Sequence, residues 1–247
     1  MVAEDDTERR ARLVWHAPTR LFHWALVLLV ISAWSTYTFA ETLRDPLLKW
    51  HRWNGLAILI LVVWRILWGL VGPASARFAM FVRPPGEAVR YAGGLLRREA
   101  RMFLGHNPLG AWMVLALLAA VLTQATLGLF TVEHNDITAG PLYRLLSEEG
   151  QKLASRLHRL GFYNLLLPLI GVHVCANILY GVVKREPLIR AMVTGRKPAG
   201  TYADDARLLT VSNKPGDRWP NVTALSLLAL SATLVLGGIK LMGGRLI

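Results

Sequence analysis

Four of the seven histidines, His23, His51, His158 and His173, fall at or inside long apolar runs. An imidazole in hydrocarbon is costly unless something engages it, so a histidine at membrane depth points to chemistry by default. Two of them share the stretch RLHRLGFYNLLLPLIGVHVCANILYGVVK at 156–184. Wound as a helix, that stretch separates His158 from His173 by ~22 Å along the axis and by ~60° around it. One ring would then stand towards each face of a ~30 Å hydrocarbon layer. Facing imidazoles across a helix bundle are the axial ligands of a six-coordinate haem iron, which transfers electrons rather than binding a substrate. Two histidines at two depths suggest two such cofactors.

The elements that must position these rings are apolar. Hydrophobic residues make up 53% of the chain, with nine tryptophans, which marks a membrane protein rather than a soluble domain. Five runs are long enough to span, at roughly 20–40, 51–72, 108–131, 157–182 and 221–243. The expected fold is an all-α membrane protein: a four-helix transmembrane haem-binding bundle plus a fifth C-terminal transmembrane helix. The net charge of +12 is spread between the runs and not along one polar face, so it reads as topology signal and not as a nucleic-acid surface. The single cysteine, Cys175, allows no internal disulfide, and no CxxCH is present for covalent haem attachment. Residues 1–19 are charged, without a small-residue cleavage site before an apolar core, and read as a cytoplasmic tail.

Charge bias between the runs gives an orientation. Arg9, Arg10 and Arg12 precede the first run and Arg20 opens it; Arg77, Arg83, Arg90, Arg97, Arg98 and Arg101 follow the second; Lys184, Arg185, Arg190, Arg196, Lys197, Arg207, Lys214 and Arg218 follow the fourth. All three segments are expected inside. The connections at Glu41 to Lys49 and Glu133 to Arg156 mix acids with bases and are expected outside, so the N-terminus is cytoplasmic and the C-terminus periplasmic. Residues 86–104 read as an amphipathic interfacial helix, and Pro141 to Ser155 as a short outer helix leading into the fourth span. The domain reading is tail 1–19, core 20–195, cytoplasmic linker 196–220 read as a loop, and added helix 221–247. The added helix carries Lys240 and could pack on a neighbour through Gly237 and Gly238, giving an oligomer.

That topology sorts the histidines into couples at matched depth: His51 with His158 outside, His23 with His173 inside. A lone histidine at a helix end is more often interfacial than a ligand; the joint pattern is what is specific. Gly55 and Gly161 could let a flat macrocycle approach the backbone, or simply mark close helix packing. Anionic propionates would need cations, with Arg20 and Arg65 placed for the inner haem and Arg52, Arg156 and Arg159 for the outer; interfacial snorkelling is the other reading of each. His106, in GHNPLG, could hydrogen-bond a quinone carbonyl or a propionate, or sit beside a helix cap formed by Asn107 and Pro108. His16 and His134 lie near the two surfaces and read as solvated.

Taken in order, RLFHW at 20–24, HRWNG at 51–55, VVWRILWGLVGPASARF at 62–78, GHNPLG at 105–110 and the His158/His173 couple resemble the prokaryotic cytochrome b561 family. That family includes the b-type cytochrome subunits of nickel–iron hydrogenases. The resemblance covers about 12–197 and implies a diheme four-helix core in a bacterial inner (plasma) membrane, holding two non-covalent haem b. Residue by residue, His23, His51, His158 and His173 take the ligand positions. It also implies exchange with quinone or quinol and a periplasmic c-type cytochrome or oxidoreductase subunit as partner. Three other roles stay open at this point: a superoxide–quinone oxidoreductase, a metal-binding transporter, and a structural anchor subunit. The family usually spaces the histidines of the fourth helix fourteen apart; here the interval is fifteen, with Pro168 between them. A kink or π-bulge near Asn164–Pro168 is therefore expected, because one wide turn absorbs one extra residue.

Overall fold

Apolar length decides the main elements. The computed structural model describes residues 11–40, 46–97, 100–132, 139–209 and 215–246. Five of its helices are long and apolar enough to cross a membrane: Ala17–Thr38, Leu48–Val71, Pro108–Gly128, Glu148–Val183 and Pro220–Leu241. The protein is an all-α, multi-pass membrane protein. In chain order its principal helices are α1 (Ala17–Thr38), α2 (Pro46–Val71), α3 (Pro85–Leu96), α4 (Pro108–Gly128), α5 (Glu148–Gly161), α6 (Leu167–Val183), α7 (Leu188–Thr194) and α8 (Pro220–Leu241). Many of their apolar side chains stay exposed, Leu28 and Leu225 among them, as lipid-facing side chains must.

Between α5 and α6 the chain makes a π-helical turn, Phe162–Leu166, in which the Leu167 N–H donates to the Phe162 carbonyl. The extra residue of the fifteen-residue interval is taken up there, where the sequence places it. The fourth span starts earlier than its apolar run, at Glu148. Ser147 caps it, its Oγ accepting the Gly150 N–H at 3.3 Å, and Glu148 and Glu149 complement the first turn. The outer helix expected over 141–155 is thus present only from Glu148, where it runs on into the span; before it stands a 3₁₀ turn at Tyr143–Leu145.

The contacts fall into two compact units. The first comprises the chain up to Leu21, Leu67–Ala116 and Val172–Leu225. Here Arg12–Leu13 (β1) pairs antiparallel with Arg196–Lys197 (β2), with Arg12 opposite Lys197. Val14, Trp15, Leu104, Ala191 and Tyr202 form its core. Charged groups tie the rest. Lys197, 2% exposed, donates to Glu186 Oε1 at 2.9 Å and to the Phe103 carbonyl at 2.8 Å. The Asp204 carboxylate accepts the N–H groups of Leu104 and Gly105 at 2.7 and 2.9 Å. Asp217 pairs with Arg77 at 2.9 Å. These bonds correct two expectations. The 196–220 segment is not a plain loop: it carries β2 and helical turns at Asp205–Leu209 and Pro215–Arg218. The 86–104 helix stops at Leu96, because Phe103, Leu104 and Gly105 spend their backbone groups on Lys197 and Asp204, which a helix would have consumed.

The second unit comprises Phe22–Ile66, Leu117–Gly171 and the chain from Ser226 on. Ile58 and Val62 of α2, Ala120 and Val121 of α4, and Leu166 of the π turn form one core, with Leu26 and Leu29 of α1 packed on it. A second core joins Leu56 and Leu59 of α2 to Val235 and Ile239 of α8 and to Leu142. Gly237 and Gly238 of α8 have open space where a side chain would be. Of the orienting charges, Arg9, Arg10, Glu41, Arg98, Glu133 and Lys214 lie outside the described residues, as does His134.

Candidate functional site

Within the second unit, α1, α2, α4, α5 and the π turn line a cleft enclosing about 710 Å³ of empty space, its mouth included. Its walls are mostly apolar, with Val30, Ala33, Ile58, Val121, Phe162 and Leu166, and it holds His51 and His158. The two rings face each other with centroids 6.1 Å apart and planes at 90°. His51 Nδ1 lies 2.8 Å from the Ala33 carbonyl on α1, and His158 Nδ1 lies 2.9 Å from the Gln124 carbonyl on α4. A carbonyl oxygen only accepts, so each Nδ1 carries the proton and donates. Each Nε2 is left with its lone pair, the state a metal-binding imidazole needs.

The spacing fits one iron shared between the rings. Two metal–nitrogen bonds of ~2.0–2.1 Å would take up about 4 Å of the 6.1 Å between the ring centroids, leaving the remainder to the rings themselves. Gly55 lines the same cleft, and a Cβ added there would meet nothing within 4 Å, so the missing side chain leaves room for a flat group. Among the described residues no three His, Cys, Asp or Glu side chains converge; the histidines come as a couple, which is what an iron already held by a porphyrin requires.

The other sequence candidates are placed as follows. Arg159 lines the cleft. Arg52 does not; its guanidinium donates to the carbonyls of Leu246 at 3.1 Å and Ala139 at 3.5 Å. Gly161 gives room to Gln124, whose Oε1 would be 3.0 Å from an added Cβ. Arg156 is exposed. His23 belongs to the second unit, its ring edge-on to Trp24 at 5.0 Å, and Arg65 in that unit is buried at 3% exposure. His173 belongs to the first unit, where Asn177 Nδ2 donates to its carbonyl at 2.7 Å. Also in the first unit, Arg20 Nη1 donates to the Val193 carbonyl near the end of α7. His106 sits in that unit with Trp15 and Phe81 rings at 4.7 and 4.5 Å, while Asn107 Oδ1 accepts the Gly110 N–H at 2.8 Å and caps α4. His16 is half-buried rather than solvated; burial holds its pKa below the ordinary value, with Asp217 acting in the opposite sense.

Comparison with known proteins decides the family. Residues 14–195 match the family described as prokaryotic cytochrome b561. The chain belongs to the prokaryotic cytochrome b561 family. Curated relatives include a "Probable Ni/Fe-hydrogenase B-type cytochrome subunit" of Rhodobacter capsulatus, 24% identical over 82% of this chain and 86% of that one. The protein of the same name from Bradyrhizobium diazoefficiens is 23% identical over 74% of this chain and 85% of its own. A "Probable superoxide oxidase CybB" of Yersinia pestis is 28% identical over 69% of this chain and 90% of its own. No solved structure matches.

As a cytochrome b561, the protein is a membrane b-type cytochrome that takes part in electron transfer and holds haem b. Haem iron bound by two imidazoles has no open position and changes oxidation state by single electrons. Were the group seated in this cleft, the residues around it would hold, aim and shield it. The Ala33 and Gln124 carbonyls fix both rings and raise the basicity of each free nitrogen, and the apolar walls keep water away. Sequence reasoning missed Gln124, which also donates from Nε2 to the His158 carbonyl at 2.8 Å. It missed Gly128, where an added Cβ would lie 3.2 Å from His158 Cε1. Neither had a signal in the sequence.

Proposed function

We propose that this cytochrome b561 holds two non-covalent b haems and carries electrons across the membrane. One haem sits between His51 and His158, the other between His23 and His173. Quinone exchanges electrons at the inner side, with His106 as the candidate donor to its carbonyl. A periplasmic c-type cytochrome, hydrogenase or other oxidoreductase subunit exchanges them outside. The names of the rhizobial and Rhodobacter relatives support a redox-enzyme partner. The arginine-rich segments support a cytoplasmic N-terminus and a periplasmic C-terminus, with Arg159 at the outer propionates and Arg20 and Arg65 at the inner ones. The single observation that carries the proposal is the facing His51–His158 couple, with both Nδ1 protons committed to carbonyls.

The test is a reduced-minus-oxidised spectrum of purified protein together with a haem-to-chain ratio. Two b haems per chain are expected; a colourless protein rejects the proposal, and one haem removes the inner site. His51→Ala and His158→Ala should each delete the same pigment, and His23→Ala and His173→Ala the other. Loss in crossed combination would refute the pairing.

A second reading rests on the Yersinia relative and its printed name. Two superoxide ions would each lose one electron to become dioxygen, and one quinone would take both electrons with two protons to become quinol. Quinone reduction by superoxide with purified protein alone would support it; dependence on an added partner subunit would count against it.

A further inference from the structure

We propose that α8 and the hooked tail behind it are a working part of the His51–His158 site: they seat the end of α2 that carries His51. The family match ends at residue 195, so α8 lies outside the matched residues. The proposal rests on the reading that this couple holds a haem.

Neighbouring faces of α2 do different jobs. His51, Gly55 and Ile58 line the cleft. Each following residue or so, Arg52, Leu56 and Leu59, turns about 100° further round the helix. Leu56 and Leu59 are buried against Val235 and Ile239 of α8. The position of His51 across the cleft is therefore set partly by what α8 presses on from beside it.

The tail completes the grip. At the end of α8 the Gly243 N–H donates to the Lys240 carbonyl at 3.0 Å and the Gly244 N–H to the Ile239 carbonyl at 2.8 Å. Gly243 has φ +77°, so this is a left-handed glycine cap that turns the chain back. The Arg245 N–H then donates to the Pro141 carbonyl at 3.2 Å. Arg52, next in sequence to His51, donates to the Leu246 carbonyl at 3.1 Å and the Ala139 carbonyl at 3.5 Å. A single guanidinium thus ties the start of α2 to two backbone segments, with charge-assisted bonds. Gly244 cannot be exchanged without disturbance: an added Cβ would lie 2.6 Å from Ile239 Cγ2 and 2.7 Å from Leu142 Cδ2. Arg52 is accordingly a positioning residue for His51.

The experiment uses full-length protein, with haem per chain and the two midpoint potentials read by optical redox titration. Arg52→Met removes the charge and both bonds. Gly244→Val breaks the hook and leaves the charge of Arg52 in place. Both should move one of the two potentials, lower retention of that haem, and leave the other potential where it was. The double variant should do little more than the larger single one, since both act through the same contact. Arg52→Lys, which keeps a cationic donor, should stay nearer the unmodified protein than Arg52→Met. Unmoved potentials and haem content in Gly244→Val, or strictly additive effects, would overturn the proposal and leave Arg52 acting by charge alone. If the unmodified protein carries no haem, the site reading itself fails; two haems in it, with inert variants, sink only the hook.

Discussion

The two units use buried polar groups in opposite ways. In the first, charges are buried to meet one another: Lys197 with Glu186, Arg77 with Asp217, and Asp204 with two backbone N–H groups. The polar bonds there hold segments that have little apolar surface of their own. In the second, the polar bonds named around the cleft aim rings. Ala33 and Gln124 lend carbonyls to His51 and His158, and Gln124 grips the backbone of His158 as well. The difference teaches that a polar bond of one length can tie segments together in one place and orient side-chain rings in another. What separates the cases is whether a lone pair is left over: none at Lys197, two at the facing imidazoles.

Breaking the comparison at its strongest point means unpairing a buried charge. Lys197→Met leaves Glu186 buried without its cation, and removing one partner of such a pair costs about 3–5 kcal/mol. Thermal unfolding in detergent should show that loss, while folded protein keeps the pigment of the His51–His158 couple. A variant that melts normally but bleaches at that couple would erase the distinction. A smaller effect of the other kind is expected for Gln124→Leu. The His158 carbonyl loses a donor worth about 1 kcal/mol, so melting should hardly change. The low-spin ferric spectrum should change, because the ring is less firmly aimed; identical spectra would mean that the Gln124 carbonyl alone suffices. The smallest effect concerns Arg185, at φ +54° just past the end of α6, where the Glu186 N–H reaches back to the Tyr180 carbonyl at 3.2 Å. That is the cap position glycine usually holds. Arg185→Gly should raise stability by about 0.5 kcal/mol, the relief of a left-handed conformation offset in part by the backbone entropy that glycine loses on folding. Unchanged or lowered melting would show that the Arg185 side chain contributes as much as the turn.

Much of this architecture was legible beforehand, and the reasons differ by element. The five spans were readable because lipid demands an unbroken apolar length, which no soluble helix imitates at that number. The π turn was readable from a count, fifteen residues where fourteen are usual. The pairing of β1 with β2 was not, since a two-residue strand has no periodicity to detect. The early end of α3 was equally hidden, because it depends on Asp204 and Lys197 reaching a segment roughly a hundred residues earlier in the chain. At the candidate site, His51 and His158, which the structure brings together, announced themselves by type and by their apolar runs. Their aim did not, because the groups that fix it at Ala33 and Gln124 are backbone carbonyls, which every residue has. Arg52 is the converse case. Its charge suggested a partner for anionic propionates, and in the structure the carbonyls of Leu246 and Ala139 engage it.

The wide turn at Phe162–Leu166 has one more consequence. It stores a residue that regular winding has no use for, so the count of amino acids along this helix is uncoupled from its rise. A lineage can gain or shed one residue here without rewinding everything downstream. Fourteen and fifteen then become two spellings of a single arrangement, and a strict spacing rule used to search genomes for such proteins would overlook half the vocabulary.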